Sequence, residues 1–211
     1  MEAQRIAALL RPFAAEALAA EQLAAISTHL DLLLRWNQRI NLTAVRSPEE
    51  VVTRHFGESI FAGEELLAPH EAADVCDLGS GAGFPGLPLK MVRTEAHVLL
   101  VEAHGKKAVF LKEVVRATKL QGIEVAAVRA ERLDLEFDLV TLRAVERFAD
   151  VLPIAAKLVR TGGRLGLLIG AAQVEEAARA LPSFKWQTPA AIPQSNARVL
   201  LQGKKLQLHL S

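Results

Sequence analysis

Apolar residues recur at helical spacing through the first part of the chain. Between Leu23 and Leu34 they fall three or four positions apart, which places them along one stripe of an amphipathic helix. A second helix start follows, because Ser47 can cap a helix, Pro48 suits its first position and Glu50 completes a capping box. We therefore predict that residues 1–70 form a helical extension.

From residue 73 onwards, short apolar runs alternate with helical stretches. The runs lie at 73–78, 97–102, 124–128, 137–142 and 163–169, with helices predicted near 85–93, 105–119, 148–159 and 171–180. This alternation is typical of a mainly parallel sheet with helices on both faces. Two last apolar runs, 197–202 and 205–210, flank Gly203-Lys204, which predicts a hairpin that ends the sheet in antiparallel strands. Residues 71–211 are thus expected to form one α/β domain that packs with the extension as a compact unit.

A glycine-rich loop follows the first predicted strand. Its glycines permit positive φ and let a ligand approach the backbone closely, and the loop lies at the edge where open α/β sheets bind ligands. The next strand ends at Glu102, whose carboxylate can accept hydrogen bonds from both hydroxyls of a ribose. Loop and acid together indicate a cofactor that contains a nucleoside. The alternative is a tight structural turn beside a surface glutamate.

The same loop fits two kinds of cofactor. Gly81-x-Gly83-x-x-Gly86 matches the dinucleotide fingerprint, and Glu102 follows at the distance that NAD binding requires. Residues 77–81 (DLGSG) match the first motif of S-adenosylmethionine (SAM) methyltransferases better, and the helical extension and antiparallel end also favour SAM. We therefore expect a Rossmann-like class I SAM methyltransferase. An NAD-dependent oxidoreductase, which would need a catalytic Tyr, Lys or His in a chain without tyrosine, and a non-catalytic binding module are the alternatives.

Composition narrows the class of protein further. Lys and Arg number 25 against 24 Asp and Glu, a net charge of +1, so contact with RNA would depend on a local basic patch. The single cysteine, Cys76, excludes an intrachain disulfide and favours a reducing compartment. We see no signal peptide and no long apolar run, so we expect a cytoplasmic protein without a membrane span. No His/Cys cluster is present, so no metal site is expected.

Several segments also carry a family resemblance. They are residues 36–46 (WNQRINLTAVR), Arg54-His55-Phe56 with Glu58-Ser59, residues 77–89 (DLGSGAGFPGLPL), Gly105-Lys106-Lys107, Phe110-Leu111, Ala130-Glu131 and Arg143-Ala144. Through them almost the whole chain resembles the bacterial 16S rRNA guanine-N7 methyltransferase G family, also called glucose-inhibited division protein B. Two positions depart from the family pattern: it usually has Asp at Glu58 and Lys at Ile169, just before Gly170.

The resemblance implies a reaction and a substrate. The reaction is transfer of a methyl group from SAM to N7 of a guanine in 16S rRNA, guanine 527, and the partner is 16S rRNA or the small ribosomal subunit. Another RNA or a small molecule is the alternative substrate. Guanine N7 has a lone pair and no proton to lose, so catalysis should depend on positioning and electrostatics, without a general base. The protein is expected to act as a monomer.

The candidate site residues fall into three groups. Those expected to bind SAM are Gly79, Ser80, Gly81, Gly83, Phe84, Glu102, Ala130, Glu131 and Arg143, where Ala130 and Glu131 are placed against the adenine by the resemblance alone. Arg143, at the end of a strand, is also the candidate catalytic residue, and a salt bridge to Glu131 or Glu146 is its alternative role. Those expected to contact RNA are Arg54, His55, Lys106, Lys107 and Arg147; a solvated helix end and a buried histidine are the structural alternatives.

Overall fold

The structure, a computed structural model, describes residues 1–143 and 148–207. Within these residues the α-helices are α1 (Ala3–Leu10), α2 (Ala20–Trp36), α3 (Pro48–Val51), α4 (Glu58–Leu66), α5 (Gly86–Val92), α6 (Gly105–Thr118), α7 (Phe148–Leu158) and α8 (Val174–Ala180). The strands are β1 (Asp74–Leu78), β2 (His97–Val101), β3 (Ile123–Ala126), β4 (Phe137–Arg143), β5 (Val159–Gly170), β6 (Phe184–Trp186), β7 (Ala190–Ala191) and β8 (Arg198–Lys205). The predicted alternation of strands and helices is therefore confirmed.

The strands form one sheet in the order β3-β2-β1-β4-β5-β8-β6, with β7 paired to β8. Strands β1 to β5 run parallel, and β8 runs antiparallel to β5. Successive residues of a strand point to opposite faces: Val75 belongs to the core under α2, α4, α5 and α6, whereas Cys76 belongs to the core under α7 and α8. The expected Rossmann-like sheet, covered by helices on both faces, is thus confirmed.

The helical extension shares its core with the sheet. Leu30 of α2 and Leu111 of α6 lie fully buried in one apolar cluster. The predicted helix start is present, because the Glu50 N–H donates to the Ser47 hydroxyl at 3.4 Å. The helix widens into a π-helical segment at Val52–Gly57, which ends where α4 begins, and such segments often mark functional sites. The division into units 1–70 and 71–211 stays a prediction.

The predicted C-terminal hairpin is wrong, although the antiparallel end of the sheet is present. Gly203 and Lys204 do not turn; they lie inside β8, where Gly203 pairs with Leu165 of β5. A Cβ on Gly203 would lie 2.7 Å from the Trp186 ring, so this glycine allows a close approach of β6 to β8. Residues 208–210 of the predicted second strand lie outside the described residues.

Candidate cofactor and substrate site

A cavity of about 590 Å³ lies at the carboxyl ends of β1, β2 and β4. Its volume is that of a typical small-molecule site. Most of the predicted site residues meet there: His55, Gly79, Ser80, Gly81, Phe84, Glu102, Lys107, Ala130, Glu131 and Arg143. It is also lined by residues that the sequence did not single out, among them Leu42, Thr43, Arg129, Val151 and Ile154.

Two glycines shape the loop from behind the cavity. Gly83 has φ +92°, and a Cβ there would lie 2.3 Å from a methyl group of Leu87. A Cβ on Gly86 would lie 2.4 Å from a methyl group of Leu100, so Gly86 lets α5 pack directly on β2. Gly83 does not line the cavity, and its positive φ helps to set the conformation of the loop; its contact with SAM stays a prediction.

Asp77 braces the loop from inside the fold. Its fully buried carboxylate accepts hydrogen bonds from the Gly86 N–H at 3.1 Å and from the Thr141 hydroxyl at 3.0 Å. The Ser80 hydroxyl donates to the Asp77 carbonyl at 2.8 Å. Burial raises the pKa of Asp77 to about 6. The acid of the DLGSG motif therefore holds β1, β4 and the start of α5 together.

Glu102 is already engaged by the protein backbone. One carboxylate oxygen accepts from the Gly81 N–H at 2.9 Å and the other from the His104 N–H at 2.7 Å. An ionised carboxylate has about four acceptor positions, so each oxygen retains one for a ribose hydroxyl. The buried carboxylate, only 8% exposed, thus fits the nucleoside part of SAM.

Arg143 is the centre of a hydrogen-bond cluster beside the cavity. Its Nη2 donates to the Arg54 carbonyl at 2.7 Å, to His55 Nδ1 at 3.0 Å and to Glu58 Oε2 at 3.1 Å. The other oxygen of Glu58 accepts from Arg198, whose Nε lies 2.8 Å away. Burial lowers the pKa of Arg143, and Glu58 opposes that shift. Arg143 is therefore both a cavity residue and part of a buried ion pair.

Within the described residues, the ion-pair partner of Arg143 is a residue that the sequence did not suggest. Arg143 pairs with Glu58, not with Glu131, which lines the cavity from a 3-10 turn that follows β3. Glu146, the other candidate, lies outside the described residues. Glu58 is 1% exposed, so the carboxylate depends on its arginines for compensation of its charge.

The N-terminal signature reaches the cavity through a side-chain-stabilised loop. Asn37 Oδ1 accepts from the backbone N–H groups of Leu42 and Thr43 at 2.9 and 3.0 Å, and its Nδ2 donates to the Thr43 carbonyl at 2.9 Å. Asn37 thereby has a structural role in this loop. The loop that it folds brings Leu42 and Thr43 against the cavity, a consequence that the residue pattern did not indicate.

His29 supports the glycine loop from α2. It is fully buried, its Nε2 lies 2.9 Å from the Ala82 carbonyl, and its ring stacks on Phe84 at 5.0 Å. Burial lowers the pKa of His29 to about 4, so the neutral ring donates to Ala82. Phe84 lines the cavity and is also part of the buried apolar core.

The structure brings together only part of the predicted RNA set. His55 and Lys107 line the cavity, whereas Arg54 and Lys106 do not. The half-exposed Arg54 pairs with Glu50 at 2.8 Å, and Lys106 is exposed at the start of α6. Arg147 lies outside the described residues. The contacts of all five with RNA stay predictions.

Ile169, which stands where the family usually has Lys, is buried at the end of β5. It is 6% exposed and pairs with Val199 of β8. The next residue of β5, Gly170, pairs with Arg198. Arg198 therefore lies on the neighbouring strand, next to the residue that pairs with Ile169. Its charge is paired with that of Glu58.

Two other features, a metal site and a membrane-spanning helix, are absent from residues 1–143 and 148–207. No group of three or more His, Cys, Asp and Glu side chains in these residues could hold a metal ion. None of the helices described there combines the length and apolar character of a membrane span.

Comparison with known proteins identifies the family. The model of the family described as rRNA small subunit methyltransferase G matches residues 22–200. The chain belongs to the rRNA small subunit methyltransferase G family. The methyltransferase G of Xanthomonas euvesicatoria pv. vesicatoria (strain 85-10) is 42% identical over 180 residues, which cover 84% of this chain and 82% of that protein.

Solved structures agree on the fold of this methyltransferase G family member. A ribosomal protein L11 methylase from Lactobacillus delbrueckii subsp. bulgaricus superposes with a TM-score of 0.61 at 16% identity, covering 73% of this chain and 79% of the other. TYW2 of M. jannaschii, crystallised with AdoMet, superposes with a TM-score of 0.58 at 15% identity, covering 72% and 77%. Family membership confirms the expected enzyme class and the cofactor, SAM, and decides against NAD.

Proposed function

We propose that this protein transfers the methyl group of SAM to N7 of a guanine in 16S rRNA, and that the guanine is at position 527. The observation that carries the proposal is the match of residues 22–200 to the methyltransferase G family. The cavity of this chain also contains a buried carboxylate, Glu102, that can accept hydrogen bonds from ribose hydroxyls. Its relative in Xanthomonas bears the name of a small-subunit rRNA methyltransferase. We place the reaction in the cytoplasm, where ribosomes are assembled, and expect a monomer.

The cavity provides a binding position for each part of SAM. Glu102 accepts the ribose hydroxyls, the loop from Gly79 to Phe84 meets the methionine end, and Ala130 with Glu131 lies against the adenine. Bound there, SAM supplies an activated methyl group on a sulfonium. The protein then has to exclude water, hold the guanine in line with that methyl group and stabilise the charge that moves onto the purine.

The hydrogen bonds around the cavity support a reaction without a general base. Among residues 1–143 and 148–207, His55 is the histidine that lines the cavity, and burial with the nearby Arg143 lowers its pKa to about 3. Both of its ring nitrogens are occupied, Nδ1 by Arg143 and Nε2 by Thr43. It is therefore not free to take a proton, and guanine N7 has none to give. Arg143 acts by position and charge.

Cationic side chains in and beside the cavity suit a substrate with a phosphate backbone. Lys107 and Arg129 line it, and Lys106 lies exposed beside Lys107. Phosphate contacts supply much of the affinity of nucleic-acid binding, while proteins read RNA bases mainly in unpaired elements. We therefore propose that an unpaired guanine enters the cavity while neighbouring phosphates meet these side chains.

Methyl transfer from labelled SAM tests the function. Purified protein is incubated with [methyl-³H]SAM and, in separate reactions, with 16S rRNA, small subunits, 23S rRNA and transfer RNA. We expect label in 16S rRNA or the small subunit alone, released on hydrolysis as 7-methylguanine. Label in another RNA, or in another nucleoside of 16S rRNA, would require a different substrate for the same fold.

A further inference from the structure

We infer that the Thr43 hydroxyl donates a hydrogen bond to an acceptor oxygen of the ligand in the cavity. Two ligands of the proposed reaction offer such an oxygen: the target guanine through O6, and SAM through its carboxylate. The guanine alternative rests on the proposed function, whereas the SAM alternative rests on the cofactor alone.

The direction of the hydrogen bonds around Thr43 is set by Arg143. A guanidinium nitrogen can only donate, so His55 Nδ1, 3.0 Å from Arg143 Nη2, must accept. The ring is neutral, in agreement with its low pKa, and a neutral imidazole that accepts at Nδ1 carries its proton on Nε2. His55 Nε2 therefore donates to Thr43 Oγ1, 2.7 Å away.

The Thr43 oxygen has a second donor. The backbone N–H of Val45 donates to Oγ1 at 3.1 Å. A hydroxyl accepts through two lone pairs and donates through one hydrogen, so His55 and Val45 use its acceptor capacity and leave the hydrogen to donate. Across residues 1–143 and 148–207 this hydroxyl makes no further hydrogen bond. Thr43 lines the cavity, and a ligand oxygen there would accept that hydrogen.

The hydroxyl is also held in place before any ligand binds. Asn37 fixes the backbone of Thr43 through its N–H and its carbonyl, and His55 is fixed by Arg143, which is paired with the buried Glu58. A preorganised donor costs little reorganisation when its acceptor arrives. For a guanine methylated at N7, O6 is the other acceptor on the same base edge, so one hydrogen bond to O6 would also orient N7.

A double-mutant cycle, with one change in the protein and one in the ligand, distinguishes a hydrogen bond from Thr43 to the ligand from a purely structural role of Thr43 in its loop. Thr43→Val removes the O–H, and Thr43→Ser retains it. For the base, methyl transfer is measured on 16S rRNA carrying 2-aminopurine at the target position, which keeps N7 and lacks O6. For the cofactor, calorimetry compares SAM with decarboxylated SAM. Thr53→Val, which removes a hydroxyl that donates to the Glu49 carbonyl outside the cavity, is the control.

We expect Thr43→Val to lower methyl transfer, or the affinity for SAM, about 5- to 10-fold with the natural ligand. With the ligand that lacks the acceptor oxygen, Thr43→Val and the wild type should give equal values. Such coupling in the base cycle assigns the acceptor to guanine O6, and coupling in the cofactor cycle assigns it to the SAM carboxylate. Equal losses with natural and modified ligands in both cycles would overturn the inference and leave Thr43 a support of the loop. If Thr43→Val does not fold, Thr43→Ala is carried through the same cycles.

Failure of the proposed function gives a different result. If the wild-type protein methylates no guanine of 16S rRNA, the base cycle cannot be run, and the proposed function is overturned. The cofactor cycle then tests the hydrogen bond from Thr43 by itself. Coupling between Thr43→Val and loss of the SAM carboxylate supports the inference, and additive losses of affinity overturn it.

Discussion

Replacing Glu102 with glutamine changes one atom at the base of the cavity. Glu102 now accepts from two backbone donors, the Gly81 N–H at 2.9 Å and the His104 N–H at 2.7 Å, one on each oxygen. In Glu102→Gln one oxygen becomes an NH₂ group. That group faces a backbone N–H in either orientation, so one internal hydrogen bond becomes a repulsion, and one acceptor for a ribose hydroxyl is lost.

The expected magnitude follows from the hydrogen bonds lost. A hydrogen bond to a charged group contributes about 1.5–3 kcal/mol. Losing one ribose contact of this kind therefore raises the dissociation constant for SAM about 10- to 150-fold. Glu102→Ala removes both acceptors and should weaken SAM binding further, because the Gly81 N–H also loses its partner in the loop.

Isothermal titration with SAM measures the effect directly. The matched control is Glu124→Gln on β3, an exposed carboxylate that does not line the cavity, and its SAM affinity should equal that of the wild type. Unchanged affinity in a folded Glu102→Gln protein would refute the assignment of this carboxylate to the ribose, and with it the placement of SAM along the glycine loop.

Three other outcomes are expected. Burial lowers the pKa of His29 to about 4 and of His55 to about 3, from 6.5, and raises that of Asp77 to about 6. Below pH 6.5 the unfolded chain thus binds more protons at the two histidines than the folded protein does, which lowers the free energy of unfolding. Asp77 binds its proton more readily in the folded protein, so it offsets part of that loss. The free energy of unfolding in urea should fall by about 2 kcal/mol from pH 7 to pH 5; no fall would contradict the buried neutral histidines. Gly83→Ala should lower the melting temperature by several degrees, because the added Cβ would lie 2.3 Å from Leu87. Gly105→Ala is the control and should leave the melting temperature unchanged, because its Cβ meets nothing within 4 Å. Equal melting temperatures for the two variants would contradict the packing argument. Affinity for 16S rRNA should fall steeply as salt rises, and a binding constant independent of salt would argue against phosphate contacts.

Local pattern was sufficient to predict the parallel part of the fold. Strands β1 to β5 were recognisable because buried parallel strands are short apolar runs between helical stretches. The glycine loop and Glu102 were recognisable because each lies at the end of such a strand. The hairpin was wrongly predicted from Gly203, because a glycine beside a charged residue is typical of a turn. A glycine is equally typical of a position where another side chain packs closely on the backbone, as Trp186 does here. Only the packing of β6 on β8 distinguishes the two.

The rest of the site depends on contacts between residues far apart in sequence. Arg143 was predicted from its position at a strand end, but its partner Glu58 lies 85 residues away on α4. Local sequence offered Glu131 and Glu146; the ion pair of Arg143 in the described residues is with Glu58, and Glu146 lies outside them. Thr43 reaches the cavity through Asn37 and His55, and no local periodicity encodes that meeting.

Methylation of 16S rRNA in the host tests the central claim most directly. The gene is deleted, 16S rRNA is isolated, and reductive cleavage of the chain at 7-methylguanine is mapped by primer extension. We expect cleavage at guanine 527 in the parent strain, none there in the deletion strain, and restoration by the wild-type gene but not by a gene encoding Glu102→Ala. Persistence of the mark at that position in the deletion strain would contradict the claim.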